Sequence, residues 1–298
     1  MTGIVGVIAR DRGLPAAQAE VEALAGTYEA LRGTGLRHAA AAGSSAQIIK
    51  IDTASASRPG IERHHGSWAA ATGVVHGAPS LIGTALAELD GQFGLISYDR
   101  DADSITVATD PLGMHTLYAA ERAGKTYISS SALVLARHLG APPSRLGLAV
   151  LLCCGTQYGP ITNWEGIERL GPATCLRFDA AGMHRSTYWR LEVDEAVARL
   201  GFGQAVDHAI EVLSATFGHY FAGQVGMWAD LTGGYDTRLL TLLLHRAGCP
   251  STPTRSARPE RPTSATGAGW PGWRAGTGRT SACQRTGGRS PPGWCRPP

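Results

Sequence analysis

Between Ser251 and Pro298 the chain contains no Leu, Ile, Val, Met, Phe or Tyr. Any hydrophobic core must therefore come from the first 250 residues. Fixing one residue's backbone costs roughly 1–2 kcal/mol of conformational entropy. Burying Trp270, Trp273 and Trp294 returns only about 3 kcal/mol each. Residues 251–298 are thus expected to form a disordered tail. All of them except Glu260 and Gln284 have codons whose middle base is C or G. A GC-rich gene gives that signature when a frame shift moves its third codon position to the middle, so the tail is expected to be out of frame and the chain a truncated copy. The alternative is a genuine Arg/Pro/Gly/Ser-rich tail that binds anions or RNA. Reading the encoding DNA in its other two frames decides between them.

The tail also distorts the charge. Its eight arginines and one glutamate give +7, so the overall +3 leaves the first 250 residues at −4. No basic face for nucleic acid is expected on that mildly acidic body. The longest apolar stretch, Leu148 to Cys154, is far shorter than the roughly 20 residues of a membrane helix. No membrane partner is expected. The six cysteines form no CxxC pair and no zinc spacing, which fits a reducing cytoplasm.

Gly3 to Ile8 reads as a buried strand and Val21 to Leu31 as a helix. Strands are expected at 46–51 and 68–75. A hairpin is expected from 93–98 and 104–109 around Asp99, Asp101 and Asp103. The turn Asp110-Pro111-Leu112-Gly113 leads to strands at 115–119 and 126–129. Helices at 131–139 and 146–152 and strands at 174–179 and 188–193 complete this region. After Asp194 the period changes to helices at 195–199 and 205–221, a strand at 225–231 and a helix at 237–246. The change of period predicts a strand-rich α+β domain over 1–191 and the start of a parallel α/β unit over 192–250.

The turn Leu231-Thr232-Gly233-Gly234-Tyr235-Asp236-Thr237 lies where a strand delivers its carboxyl end to a helix. Free N–H groups and the helix dipole at such a place favour phosphate oxygens, and glycines allow close approach. Thr232 and Thr237 add hydroxyls, and Asp236 suits Mg²⁺ bridging phosphates. An ordinary glycine-containing βα turn is the competing reading. The stretch resembles the SGGxDS pyrophosphate loop of the ATP pyrophosphatase fold. Upstream, LDGQFGLISYDRDADSITVATDPLGMHTLYAAERAGKTYISSSALVLARHLGAP, GTQYGPITNWEGIERLGPATCLRF and STYWRLE resemble the glutaminase-like domain of class B asparagine synthetases. With the opening MTGIVGV, the likeness spans most of residues 1 to 250.

The resemblance implies an N-terminal-nucleophile glutaminase-like domain of layered antiparallel sheets, then the start of an ATP pyrophosphatase-type domain. It implies ATP and Mg²⁺, a small carboxylate, and an amine or glutamine. An asparagine-synthetase-like ligase makes an amide by adenylating the carboxylate. The departures matter. Where the family has a nucleophilic cysteine after the initiator Met, this chain has Thr2, which reads either as a nucleophile or as the start of a strand. Arg37-His38-Ala39-Ala40 replaces the family's Arg-Gly-Pro-Asp segment, and Thr72-Gly73 replaces its Asn-Gly oxyanion hole. Gly73 keeps a backbone N–H, but losing the amide donor costs about 10²–10³ in rate. The glutaminase site is therefore expected to be degenerate, as in relatives resembling β-lactam synthetases and lasso-peptide cyclases. The synthetase domain is expected to be incomplete. A non-catalytic scaffold and an amidohydrolase using Thr2 are the alternatives. His64-His65 reads as surface, and Cys153-Cys154 as buried packing residues.

Overall fold

The computed structural model describes residues 3–9, 18–33, 36–53, 60–221, 224, 227–232, 234–249 and 251–254. It divides into two compact units after Glu192. Unit 1 contains β1 (Gly3–Ala9), α1 (Gln18–Arg32), β2 (Leu36–Ala42), β3 (Ala46–Thr53), β4 (Glu62–His64), β5 (Ser67–His76), β6 (Asp90–Asp99) and β7 (Ser104–Thr109). It continues with β8 (Tyr118–Arg122), β9 (Lys125–Ser129), α2 (Ala132–Leu139), α3 (Arg145–Cys154), β10 (Ile167–Arg169), β11 (Thr174–Asp179) and β12 (Gly182–Thr187). Unit 2 contains α4 (Glu195–Ala198), α5 (Phe202–Phe221), β13 (Met227–Asp230), α6 (Tyr235–Arg246) and β14 (Ser251–Thr254).

Unit 1 is an α+β fold of two stacked six-stranded sheets, ordered β10-β8-β9-β1-β3-β2 and β12-β11-β7-β6-β5-β4. All its strand pairs are antiparallel. Successive strand side chains point to opposite faces, which explains the unbroken apolar run of β1. Ile4 and Ile8 enter the layer between the sheets with Ile48, Ile96, Val107 and Leu176. Val5 and Val7 pack the other way, against Leu24, Tyr28 and Leu135 of α1 and α2. A third cluster, around Phe93 and Leu95, covers the outer face of the second sheet with help from Leu81 and Ile82.

Three expectations change. The strand read at 188–193 is instead β12, at 182–187, paired with β11 across a turn where Gly182 has φ +116°. The ladder ends at Thr187, although the Tyr188 N–H still donates to the Ala173 carbonyl at 3.0 Å and its phenol donates to the Thr109 carbonyl at 2.6 Å. The strand read at 115–119 begins only at Tyr118, since Asp110 holds the preceding residues in a turn. Cys153 and Cys154 are exposed rather than packed. The cause is α3, where Gly147 is the buried residue; Leu146, Leu148 and Leu152 are exposed. Its N-cap is Ser144, whose hydroxyl accepts from the Gly147 N–H.

Unit 2 places β13 parallel to β14, with Met227 opposite Ser251 and Asp230 opposite Thr254. The ladder therefore takes in the first four residues assigned to the tail from composition. It needs only backbone groups, and Pro253, which has no N–H, is tolerated in a two-stranded edge. No helix among the described residues is long and apolar enough to cross a membrane.

Candidate functional site

In unit 1 the polar groups gather where the apolar register of the inter-sheet layer is interrupted. On β3, Ala46 and Ile48 face the second sheet, and the same alternation directs Lys50 and Asp52 to that face. Lys50 is 3% and Asp52 7% exposed, and the ammonium donates to the carboxylate. Burial pushes the Lys50 amine below its ordinary range, and Asp52 opposes the shift. A Cβ on Gly60 would lie 3.3 Å from Asp52 Oδ2. This pair has a legible origin: Lys and Asp two apart in a strand whose alternate positions are apolar.

Asp110 follows β7 and is fully buried. Its carboxylate accepts from the Leu112, Met114 and His115 N–H groups at 3.1, 3.0 and 2.8 Å. Its own N–H donates to Phe93, and its carbonyl accepts from Gly113 and Ala173. The 110–115 segment is thus fixed at six points. The segment delivers His115 to Gly73: a Cβ on Gly73 would sit 3.1 Å from the imidazole Cγ. His115 Nε2 is buried with no hydrogen-bond partner among the described residues. Burial lowers the His115 pKa; Asp110 raises it and Lys50 lowers it further. The imidazole is therefore neutral at pH 7.

A depressed folded pKa means that the unfolded chain binds the proton more readily, so stability gained above the unfolded value is lost on acidification. The urea midpoint is expected to fall as pH drops below about 6.5 and to level off beneath the depressed His115 value. His115→Leu should flatten this slope, leaving a remainder from His138, which burial shifts the same way. An unchanged slope would contradict the buried, unpaired imidazole.

Of the residues expected to form this site, Thr2 lies outside the described residues. Gly73 lies in β5 at φ +93°, beside the fully buried Thr72. Arg37 to Ala40 form part of the ordinary strand β2, where His38 pairs with Glu29 at 3.0 Å. Lys50, Asp52 and His115 were not expected from the sequence, and Asp110 was read only as a turn. His64 and His65 are exposed, with rings stacked edge-on at 4.0 Å. Among the described residues no group of three or more His, Cys, Asp or Glu could hold a metal ion.

In unit 2 the turn after β13 is knotted by two hydroxyls. Thr232 Oγ1 and Thr237 Oγ1 are 2.9 Å apart, the Gly234 N–H donates to Thr232 Oγ1 at 3.1 Å, and the Thr232 N–H donates to Thr237 Oγ1 at 3.3 Å. Gly234 is the N-cap of α6 and makes no side-chain cap bond. The first-turn amides of α6 also have no intrahelical acceptor. Leu231, Thr232 and Thr237 are half-buried, while Gly234 and Asp236 are exposed. Gly233 lies outside the described residues.

Residues 64–189, which run from the end of β4 through β12 and include Gly73, Asp110 and His115, match the family model of a glutamine amidotransferase domain. The match covers 126 of the 298 residues, and this region is similar to glutamine amidotransferase domains. Among solved structures, the chain is similar to glutamine phosphoribosylpyrophosphate amidotransferase from B. subtilis complexed with ADP and GMP. The two are 12% identical with a TM-score of 0.43, over 84% of this chain and 65% of that one. A second, described as the allosteric regulatory enzyme of purine biosynthesis, is 12% identical with a TM-score of 0.42, over 84% and 64%. The chain thus spans slightly under two thirds of the length of either. No curated protein matches it.

Proposed function

We propose that the chain is asparagine-synthetase-like, related to ATP-dependent amide-forming ligases, with an incomplete synthetase domain that does not complete amide formation alone and a glutamine amidotransferase unit that no longer hydrolyses glutamine efficiently. The observation that carries this reading is the uncapped N-terminus of α6, with Thr232 and Thr237 beside it, at the carboxyl end of the parallel strand β13. The residues present fit a pyrophosphate group. The α6 first-turn amides supply donors, a hydroxyl of the Thr232–Thr237 pair would join them on giving up its present hydrogen bond, and the helix dipole favours negative charge there. The exposed Asp236 carboxylate suits Mg²⁺ shared with phosphate oxygens. ATP would supply a leaving group, because a free carboxylate is a poor electrophile. The α6 first-turn amides, with Thr232 and Thr237 beside them, would hold the pyrophosphate as negative charge builds on it.

In unit 1, Thr72 stands where the family has an amide side chain, so an oxyanion would lose a donor, while Gly73 has a positive φ within β5. An amine carried by the substrate would then replace ammonia from glutamine. Titration of the full chain with Mg·ATP tests the reading: the wild type binds, and Thr237→Val loses about tenfold in affinity, or 1.4 kcal/mol.

A further inference from the structure

Unit 1 also contains a cavity of about 670 Å³ on the side where β10 and β12, the end strands of the two sheets, come together. We propose that it binds an uncharged aliphatic molecule headed by a carboxamide, with the hydrocarbon chain entering between the sheets and the amide pairing with Arg185 and Glu168. This size is within the range of small-molecule sites, roughly 300–1,000 Å³.

The register builds the site. Glu168 stands opposite Ala119 in β8, and Arg185 opposite Leu176 in β11; directly paired residues share a face of their sheet. Ala119 and Leu176 pack in the layer between the sheets, so Glu168 and Arg185 enter the same gap from opposite sheets. There Arg185 Nη1 donates to both Glu168 oxygens at 3.0 and 3.1 Å, tying β12 to β10. The two side chains remain 44% and 39% exposed, so a ligand reaches them from solvent. Ala119, Leu176, Met183 and Ile161 give the cavity an apolar wall that suits a hydrocarbon chain.

The Arg185–Glu168 pair selects the head group. A guanidinium has five N–H donors and a carboxylate about four lone-pair positions. Only Nη1 is used, and the other Arg185 nitrogens make no hydrogen bond to the described residues. Donors and acceptors therefore stand side by side, and a carboxamide matches both: its carbonyl accepts and its NH₂ donates. Charge decides against the ionised alternatives. Arg185 and Glu168 neutralise each other, and Glu121, the remaining charged residue of the lining, is engaged with another group. An ammonium or a carboxylate would give up water here without meeting an uncompensated counter-charge. The site lies away from Gly73, since β12 is four strands from β5 in the second sheet, roughly 19 Å at about 4.8 Å per strand.

The test is an NMR titration of the full chain with hexanamide, n-hexylamine and hexanoate. Hexanamide should give saturable shifts at residues 119–121, 167–168 and 183–185, binding about fivefold or more tightly than either charged analogue. Shortening it to butanamide should weaken binding about fourfold for each CH₂ removed, because the chain is buried. Arg185→Met keeps the stem, removes the donors and leaves Glu168 uncompensated; hexanamide should weaken about fivefold and hexylamine become the tightest of the three. Glu168→Gln should instead make hexanoate the tightest. Both side chains are solvent-exposed, so the two variants keep the fold. Equal affinity for the three ligands, an order of preference unchanged in both variants, or no saturable shift at these residues would overturn the proposal.

Discussion

Replacing Asp110 with alanine is expected to lower the unfolding free energy by about 3–5 kcal/mol. Hydrogen bonds to a charged group are each worth about 1.5–3 kcal/mol net, and the carboxylate accepts three at once. The contributions are not additive, because the freed 110–115 segment relaxes and water reaches some of its amides. The loss is still a large share of the roughly 5–15 kcal/mol that holds a domain together. Asp110→Asn keeps an acceptor but aims an NH₂ group at a backbone donor, so it should fall between wild type and alanine. Urea denaturation reads both: the midpoint should drop with the slope unchanged. A loss under 1 kcal/mol for the alanine variant would mean that the turn is held by something other than this carboxylate. Because that turn positions His115, the same variant should abolish the His115-dependent pH slope.

Gly73→Ala is expected to cost about 3 kcal/mol or more. Two causes combine. An L side chain at φ +93° is strained, and the new Cβ would fall well inside contact distance of the Gln92 carbonyl oxygen, which belongs to the paired strand and cannot move independently. Gly83 separates the two terms. It has φ +82°, but a Cβ there meets nothing within 4 Å, so Gly83→Ala should show only the backbone strain of about 1 kcal/mol. Thermal denaturation of the pair measures the difference. If both variants lose the same amount, the close approach of β6 to Gly73 is not what fixes this glycine.

The architecture of unit 1 was legible because its strands announce themselves by period. β1, β6, β7 and β9 fall where alternating or β-branched runs place them, and the hairpin turn at 99–103 carries its own signal in Asp99, whose carboxylate accepts from the Asp101 and Ala102 N–H groups. The failures have physical causes too. The run from Tyr188 has strand-like residues, but the β11–β12 ladder ends at Thr187, and the half-buried Tyr188 phenol ties the chain to the Thr109 carbonyl instead. Such a long-range bond leaves no trace in local pattern. Cys153 and Cys154 sit on a helix with apolar spacing, which predicts a buried face; α3 instead makes its close approach through Gly147, whose Cβ would be 2.7 Å from the Thr162 carbonyl carbon. A contact made through a missing side chain inverts the usual inference from hydrophobicity.

Gly73 was singled out by resemblance to the family's Asn-Gly, and the Thr232 to Thr237 turn by its glycines at a strand's end together with its resemblance to the SGGxDS loop. Lys50, Asp52 and His115 were overlooked because each reads as an ordinary surface residue until the register shows that Lys50 and Asp52 occupy positions continuing from Ala46 and Ile48. Polar residues in the apolar register of a strand are therefore the signal to seek in chains of this kind.

The account depends most on the turn after β13 gripping a nucleotide's phosphates. Isothermal titration of the full chain with Mg·ATP, followed by competition with inorganic pyrophosphate, measures this directly. The account predicts one saturable site, displacement by pyrophosphate, and a roughly tenfold loss in Thr237→Val. Binding of equal strength in Thr237→Val, or no binding of Mg·ATP by the wild type, would contradict it.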